Sequence, residues 1–172
     1  IAKFIDKQAQ ELLDANVRLR IIGRRDRIDD HLCLAIQELE QRSSKNTSLN
    51  LTVALDYGGR QDIANAALTI AKEVEAGVLK VDDVNDDLLK SRMSTKILPP
   101  VDLLIRTAGE KRLSNFLLWD LSYAELFFSD KLWPDFTGGD LFDAITSFRG
   151  RQRRFGGGHH DRDRPLRVVV SD

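Results

Sequence analysis

Three short apolar runs punctuate this chain: VRLRIIG from Val17, LNLTVALDY from Leu49 and VDLLIR from Val101. Long stretches of helical periodicity separate them. In the first run Val17, Leu19 and Ile21 alternate with Arg18 and Arg20, the two-residue period of a half-buried strand. In the second, Leu49, Leu51, Val53 and Leu55 alternate with smaller or polar residues. Between them Ile28, Leu32, Ala35, Ile36 and Leu39 recur at helical spacing, and Ile63, Ala67, Ile70, Val74 and Val78 do so after the second. A shorter helix is predicted from Val84 to Met93, and Pro99-Pro100 then stops the chain before the third run. An earlier stripe, Ile1, Phe4, Ile5, Leu12 and Leu13, predicts an opening helix. Strands joined by crossovers this long pair in parallel. The expected class is therefore α/β, a central mostly parallel sheet surrounded by helices.

Composition narrows the function. The 172 residues are 42% hydrophobic and 31% charged, an ordinary globular mixture. No run approaches the roughly 18 apolar residues of a membrane span. One cysteine, Cys33, excludes an intrachain disulfide framework and a cysteine metal cluster, and a cytoplasmic location is the simplest expectation. The net charge of -1 offers no global attraction for nucleic acid. Charge is uneven, however: from Arg149 to Asp172 seven arginines stand against three aspartates. Phosphate attraction by this basic end is the only basis for a nucleic-acid reading. His159 and His160 are adjacent, a poor spacing for two ligands on one face, and His31 sits within a predicted helix. No Ser-His-Asp or Cys-His set assembles.

The chemistry concentrates in DLLIRTAGEKRLSNFLLWD. Arg106 is placed at the carboxyl end of a strand, where ligands meet open α/β sheets. Ala108-Gly109 make a turn, followed by Glu110, Lys111 and Arg112. Ser114 stands where a helix through Asn115, Phe116 and Leu117 would start, as its cap or as a ligand contact. Guanidinium groups supply planar donor pairs for phosphate oxygens, so Arg106, Arg112 and Ser114 can form a diphosphate site. The alternative is that Arg106 and Arg112 pair with Asp102 and Glu110. Glu125, among apolar residues in SYAELFFSD, serves either Mg²⁺ or an arginine. DYGGR, with Asp56 and Arg60, reads as a strand-to-helix turn and lacks the spacing of a dinucleotide fingerprint.

DLLIRTAGEKRLSNFLLWDLSYAELFF, WPDF and RQRRFGG, preceded in order by VRLRIIG and DYGGR, resemble the carboxyl-terminal part of the undecaprenyl diphosphate synthase family of cis-prenyltransferases. The resemblance runs from residue 1 to Gly157. It implies one catalytic domain over 1–157, N-terminally incomplete, with 158–172 a flexible tail. It also implies a homodimer that condenses isopentenyl diphosphate with an allylic diphosphate, requires Mg²⁺ and associates with membranes through its lipid product. Nucleic acid is not expected as a partner. Arg106, Arg112 and Ser114 are implied to bind isopentenyl diphosphate, with Arg154 and Gly156 reaching the site across the dimer and Glu125 serving Mg²⁺. Lys111, Ala108 and Asp56 stand where histidine, glycine and asparagine are common. The family's Asp-Gly-Asn loop is absent here, and the isolated chain is expected to be inactive. The competing expectation is a non-catalytic accessory subunit of a prenyltransferase.

Overall fold

The computed structural model describes residues 9–150 and 167–171. The chain divides into two compact units, Ile1–Ser94 and Thr95–Asp172, at a point where the sequence shows no linker composition. Each contains its own parallel sheet. No helix among the described residues is long and apolar enough to cross a membrane.

In the first unit, α1 is helical over residues 9–14 and leads into β1 (Val17–Ile22), α2 (Asp30–Arg42), β2 (Leu49–Ala54), α3 (Gly59–Glu75) and α4 (Asp86–Arg92). Two of these helices start from a side-chain cap. Asp29 caps α2 by accepting from the His31 amide at 3.0 Å, and Asn85 caps α4 by accepting from Leu88 at 2.9 Å. β1 and β2 pair in parallel, from Val17 opposite Leu49 to Ile22 opposite Ala54, with α2 as their crossover. Ala9, Leu19 and Leu39 form the buried core, and Leu13, Ile21 and Leu51 pack against it.

The other edge of β1 is closed by side chains. Ser43 Oγ accepts from the Leu19 amide at 3.1 Å, and Glu40 Oε1 accepts from the Ile21 amide at 2.8 Å. Asn46 Nδ2 donates to the Val17 carbonyl at 2.8 Å. Arg25 Nη2 bridges the Ile21 carbonyl and Glu40 Oε2 at 3.2 and 2.8 Å. These bonds satisfy backbone groups that would otherwise invite a further strand. They also explain why a polar residue, Ser43, is buried.

The second unit contains β3 (Leu103–Arg106), β4 (Glu125–Phe128), α5 (Gly138–Gly150) and β5 (Val168–Ser171). The strand order is β4-β3-β5, parallel throughout. All four residues of β3 are buried, none more than 6% exposed, as a central parallel strand requires. Leu103, Ile105 and Ala144 form the core with Phe127, Phe136, Leu141, Ile145 and Phe148 around them. β5 lies near the end of the stretch 158–172, of which only residues 167–171 are described. Three successive β-branched valines suit an edge strand, and Val168 and Val170 pack on the same core.

α5 starts from a reciprocal cap. Asp140 Oδ2 accepts from the Thr137 amide and hydroxyl at 2.8 and 2.7 Å, and Lys131 Nζ donates to Asp140 Oδ1 at 2.6 Å. The lysine bond first, then the two from Thr137, hold this carboxyl well below the usual carboxylate range. A folded-state pKa below the unfolded one stabilises fully above the unfolded value and is lost as pH falls toward the folded one. Asp140→Asn is thus expected to lower the melting temperature by roughly 2–5 °C at pH 7. The gap between variant and parent narrows below about pH 4. A constant gap across that range in thermal melts contradicts the assignment.

Candidate functional site

β3 delivers Arg106 to the carboxyl end of its sheet, and the chain leaves through Thr107-Ala108-Gly109-Glu110. Ala108 and Gly109 both have positive φ, 60° and 69°, and the Glu110 amide donates to the Thr107 carbonyl at 3.3 Å, the pattern of a mirror-image tight turn. The turn is stitched to the exit of β4. Ser129 donates to the Arg106 carbonyl at 2.8 Å, Gly109 to Ser129 at 2.9 Å and Ala108 to Lys131 at 2.7 Å. Ser114 and Leu117 also have positive φ, 54° and 41°. Each such non-glycine residue costs on the order of 1 kcal/mol. Three of the five in the described chain lie between 108 and 117. Strain of this kind persists where the surroundings enforce it, typically beside ligands.

Arg106 is 6% exposed, and its Nε is enclosed without a hydrogen-bond partner among the described residues. The alternative pairing with Asp102 leaves that Nε unsatisfied. An unsatisfied buried donor costs roughly 1–3 kcal/mol, more when charged. A ligand bearing oxygen acceptors removes that cost. Arg112 behaves differently: it is 65% exposed and pairs with Glu110, the local alternative anticipated from sequence. Lys111 and Ser114 are exposed on the same segment.

The helix expected from Ser114 does not form. Residues 114–123 are turns, because positive φ at Ser114 and Leu117 is incompatible with a right-handed helix. Ser114 is therefore no helix cap. Glu125 opens β4 opposite Leu103, whereas Arg106 lies opposite Phe128. Three residue steps put Glu125 about 10 Å from the Arg106 end of the sheet. The structure does not bring these two together. Arg154 and Gly156 lie outside the described residues.

In the first unit DYGGR forms the strand-to-helix turn expected of it, between β2 and α3. Asp56, with φ 48°, pairs with Arg27 at 3.6 Å. Sequence reading passed over Asp62. This buried carboxylate accepts from the Ser94 amide at 2.7 Å and the Tyr57 hydroxyl at 3.4 Å. Its place in the first turn of α3, one residue before the apolar Ile63, was the available signal.

No group of three or more histidine, cysteine, aspartate or glutamate side chains forms a metal cage among the described residues. Mg²⁺ rarely uses such a cage; it keeps waters and takes one or two carboxylates plus substrate phosphates. Glu125 fits that donor chemistry as a single carboxylate. Its position at the start of β4 does not fit an ion shared with a ligand on Arg106 of the same unit.

This is a parallel α/β chain of the kind that keeps its chemistry at the carboxyl ends of its strands. The family model for undecaprenyl diphosphate synthase, a prenyltransferase, matches residues 1–156, and the chain belongs to that family. It is 45% identical over 154 residues to an isoprenyl transferase of Caulobacter vibrioides, covering 90% of this chain and 60% of the relative. It is 46% identical over 153 residues to a ditrans,polycis-undecaprenyl-diphosphate synthase, (2E,6E)-farnesyl-diphosphate specific, of Haemophilus influenzae, covering 89% and 64%. Lavandulyl diphosphate synthase from Lavandula x intermedia, solved in complex with dimethylallyl diphosphate, superposes with a TM-score of 0.86 at 40% identity. That match covers 90% of this chain and 67% of the other. The chain thus spans about three fifths of the length of the curated relatives it matches.

Proposed function

We propose that this chain carries the isopentenyl diphosphate half-site of a cis-prenyltransferase, which joins isopentenyl diphosphate to an allylic diphosphate to make a longer polyprenyl diphosphate. The observation that carries the reading is Arg106, a buried cation whose Nε has no partner among the described residues, at the end of a strand shared with the family. Arg106 clamps the diphosphate, with Arg112 released from Glu110 and the Ser114 hydroxyl as exposed contacts. Fixing the diphosphate aims the alkene of isopentenyl diphosphate at the allylic carbon, a contribution of position rather than of chemistry. The alkene attacks as the allylic carbon–oxygen bond breaks, a proton leaves, and diphosphate departs.

Mg²⁺, when bound, offsets the negative charge that grows on the departing diphosphate. Glu125 has the donor chemistry for such an ion but, at the end of β4 away from Arg106, would hold it apart from a ligand clamped there. The active assembly is a homodimer in the cytoplasm, meeting the membrane through its lipid product.

Titration of isopentenyl diphosphate into the purified chain is expected to show saturable binding, competed by inorganic diphosphate and weakened by salt. With Mg²⁺ and an allylic diphosphate added, no longer product forms above a protein-free control. Absence of saturable binding defeats the half-site, and product formation defeats the inactivity.

A further inference from the structure

β3 is buried along its whole length, so the backbone groups on both of its edges need partners. β4 supplies one edge and β5 the other, from Leu103 opposite Val168 to Arg106 opposite Ser171. The Asp102 and Leu103 amides both donate to the Arg167 carbonyl, at 3.0 and 3.1 Å. β3 lies within the residues that match the family, 1–156, whereas β5 lies beyond them. The strand that needs an edge partner is therefore shared with the relatives, and the strand that supplies it here is outside the match. The relatives hold further chain, since only 60–64% of their length is matched.

We propose that the second edge of β3 is a strand-acceptor site. β5 fills it in this chain, and a parallel aliphatic strand from the part of the relatives that this chain does not span fills it in them. The two are mutually exclusive occupants. β5 is suited to yield: it is four residues long, and Val168, Val169 and Val170 are only half-buried. A longer strand on the same edge gains more ladder bonds and buries more apolar surface. The register sets Ser171 beside Arg106, so exchange changes what abuts the end of β3. That last consequence rests on the proposed function; the exchange itself does not.

The test uses the full chain and its Val169→Pro variant. The Leu103 amide faces β5, and in a parallel ladder the Val169 amide returns the bond to β3. Proline removes that donor. Hydrogen exchange at Leu103 is expected to quicken at least ~100-fold in the variant, while the Ser129 amide, bonded to Arg106 on the β4 side, stays protected and reports that the second unit is folded. The unmatched part of the Caulobacter vibrioides isoprenyl transferase, made as a separate polypeptide, is expected to bind the variant at least ~10-fold more tightly than the unaltered chain and to restore protection at Leu103. A chain ending at Gly157 should behave as the variant does. Unchanged exchange at Leu103 in both altered chains overturns the proposal. So does equal capture of the fragment with and without β5, or capture by neither. None of these readouts involves isopentenyl diphosphate, so this idea and the functional one fail separately.

Discussion

Replacing Arg106 with methionine is expected to weaken isopentenyl diphosphate binding at least ~100-fold and, in the same protein, to raise the melting temperature. The two effects share one cause. Arg106 is 6% exposed and its Nε has no partner among the described residues, so the ligand-free fold carries the cost of an unsatisfied buried donor. Methionine fills similar volume without a polar group, and releasing about 1–3 kcal/mol corresponds to a gain of roughly 2–12 °C in a chain of this size. The loss of affinity follows from removing a charge-assisted, two-pronged contact to phosphate oxygens. Arg106→Lys separates charge from geometry: it keeps the cation, loses the planar fork, and is expected to cost about tenfold in affinity. Calorimetric titration and thermal melts of both variants decide the matter. A methionine variant that melts lower and binds as before would show that Arg106 holds the fold together and nothing else.

Arg112 is the contrast that makes this argument specific. It lies on the same loop and carries the same charge, yet it is 65% exposed and already paired with Glu110. Exposed pairs contribute little to stability. Sequence spacing ranked the two arginines together because spacing contains no burial. Burial separates them, since a strand end enclosed on both faces encloses its last side chain too.

The elements legible in the sequence were those whose period has room to repeat. β1, β2, α2 and α3 run from six to seventeen residues, and β3 stood out because Pro99-Pro100 isolates it. β4 and β5 are four residues each, too short for an alternation to declare itself. α5 begins on Gly138-Gly139, residues with no helical signal of their own, although Thr137 and Asp140 at capping-box spacing marked its start. The Ser114 helix was the opposite error: local residues suited a helix, and the backbone there is held left-handed. Register was invisible altogether. The resemblance assigns Glu125 and Arg106 to one site, and the pairing of Glu125 with Leu103 sets their backbones about 10 Å apart along the strands.

Gly23→Ala is expected to destabilise the first unit by about 3–5 kcal/mol, enough to remove much of the stability of an ordinary domain. Gly23 ends β1 with φ 111°, a conformation that side chains rarely adopt. Its neighbourhood is worse than its dihedral. A Cβ there would lie 2.0 Å from the Leu55 carbonyl oxygen and 2.9 Å from the carbonyl carbon. Both atoms are backbone at the exit of β2, where the Leu55 amide is tied to Ile22 at 2.9 Å. Relief therefore requires the two strand ends to part, not a rotamer to turn. Gly77 provides the internal comparison. It follows α3 with φ 71°, and a Cβ there meets nothing within 4 Å. Gly77→Ala bears the dihedral cost alone, about 1 kcal/mol. Denaturant melts should place Gly23→Ala well below Gly77→Ala, which should lie slightly below the parent. Equal midpoints for the two variants would mean that β1 and β2 do not leave their sheet as closely as Gly23 and Leu55 indicate.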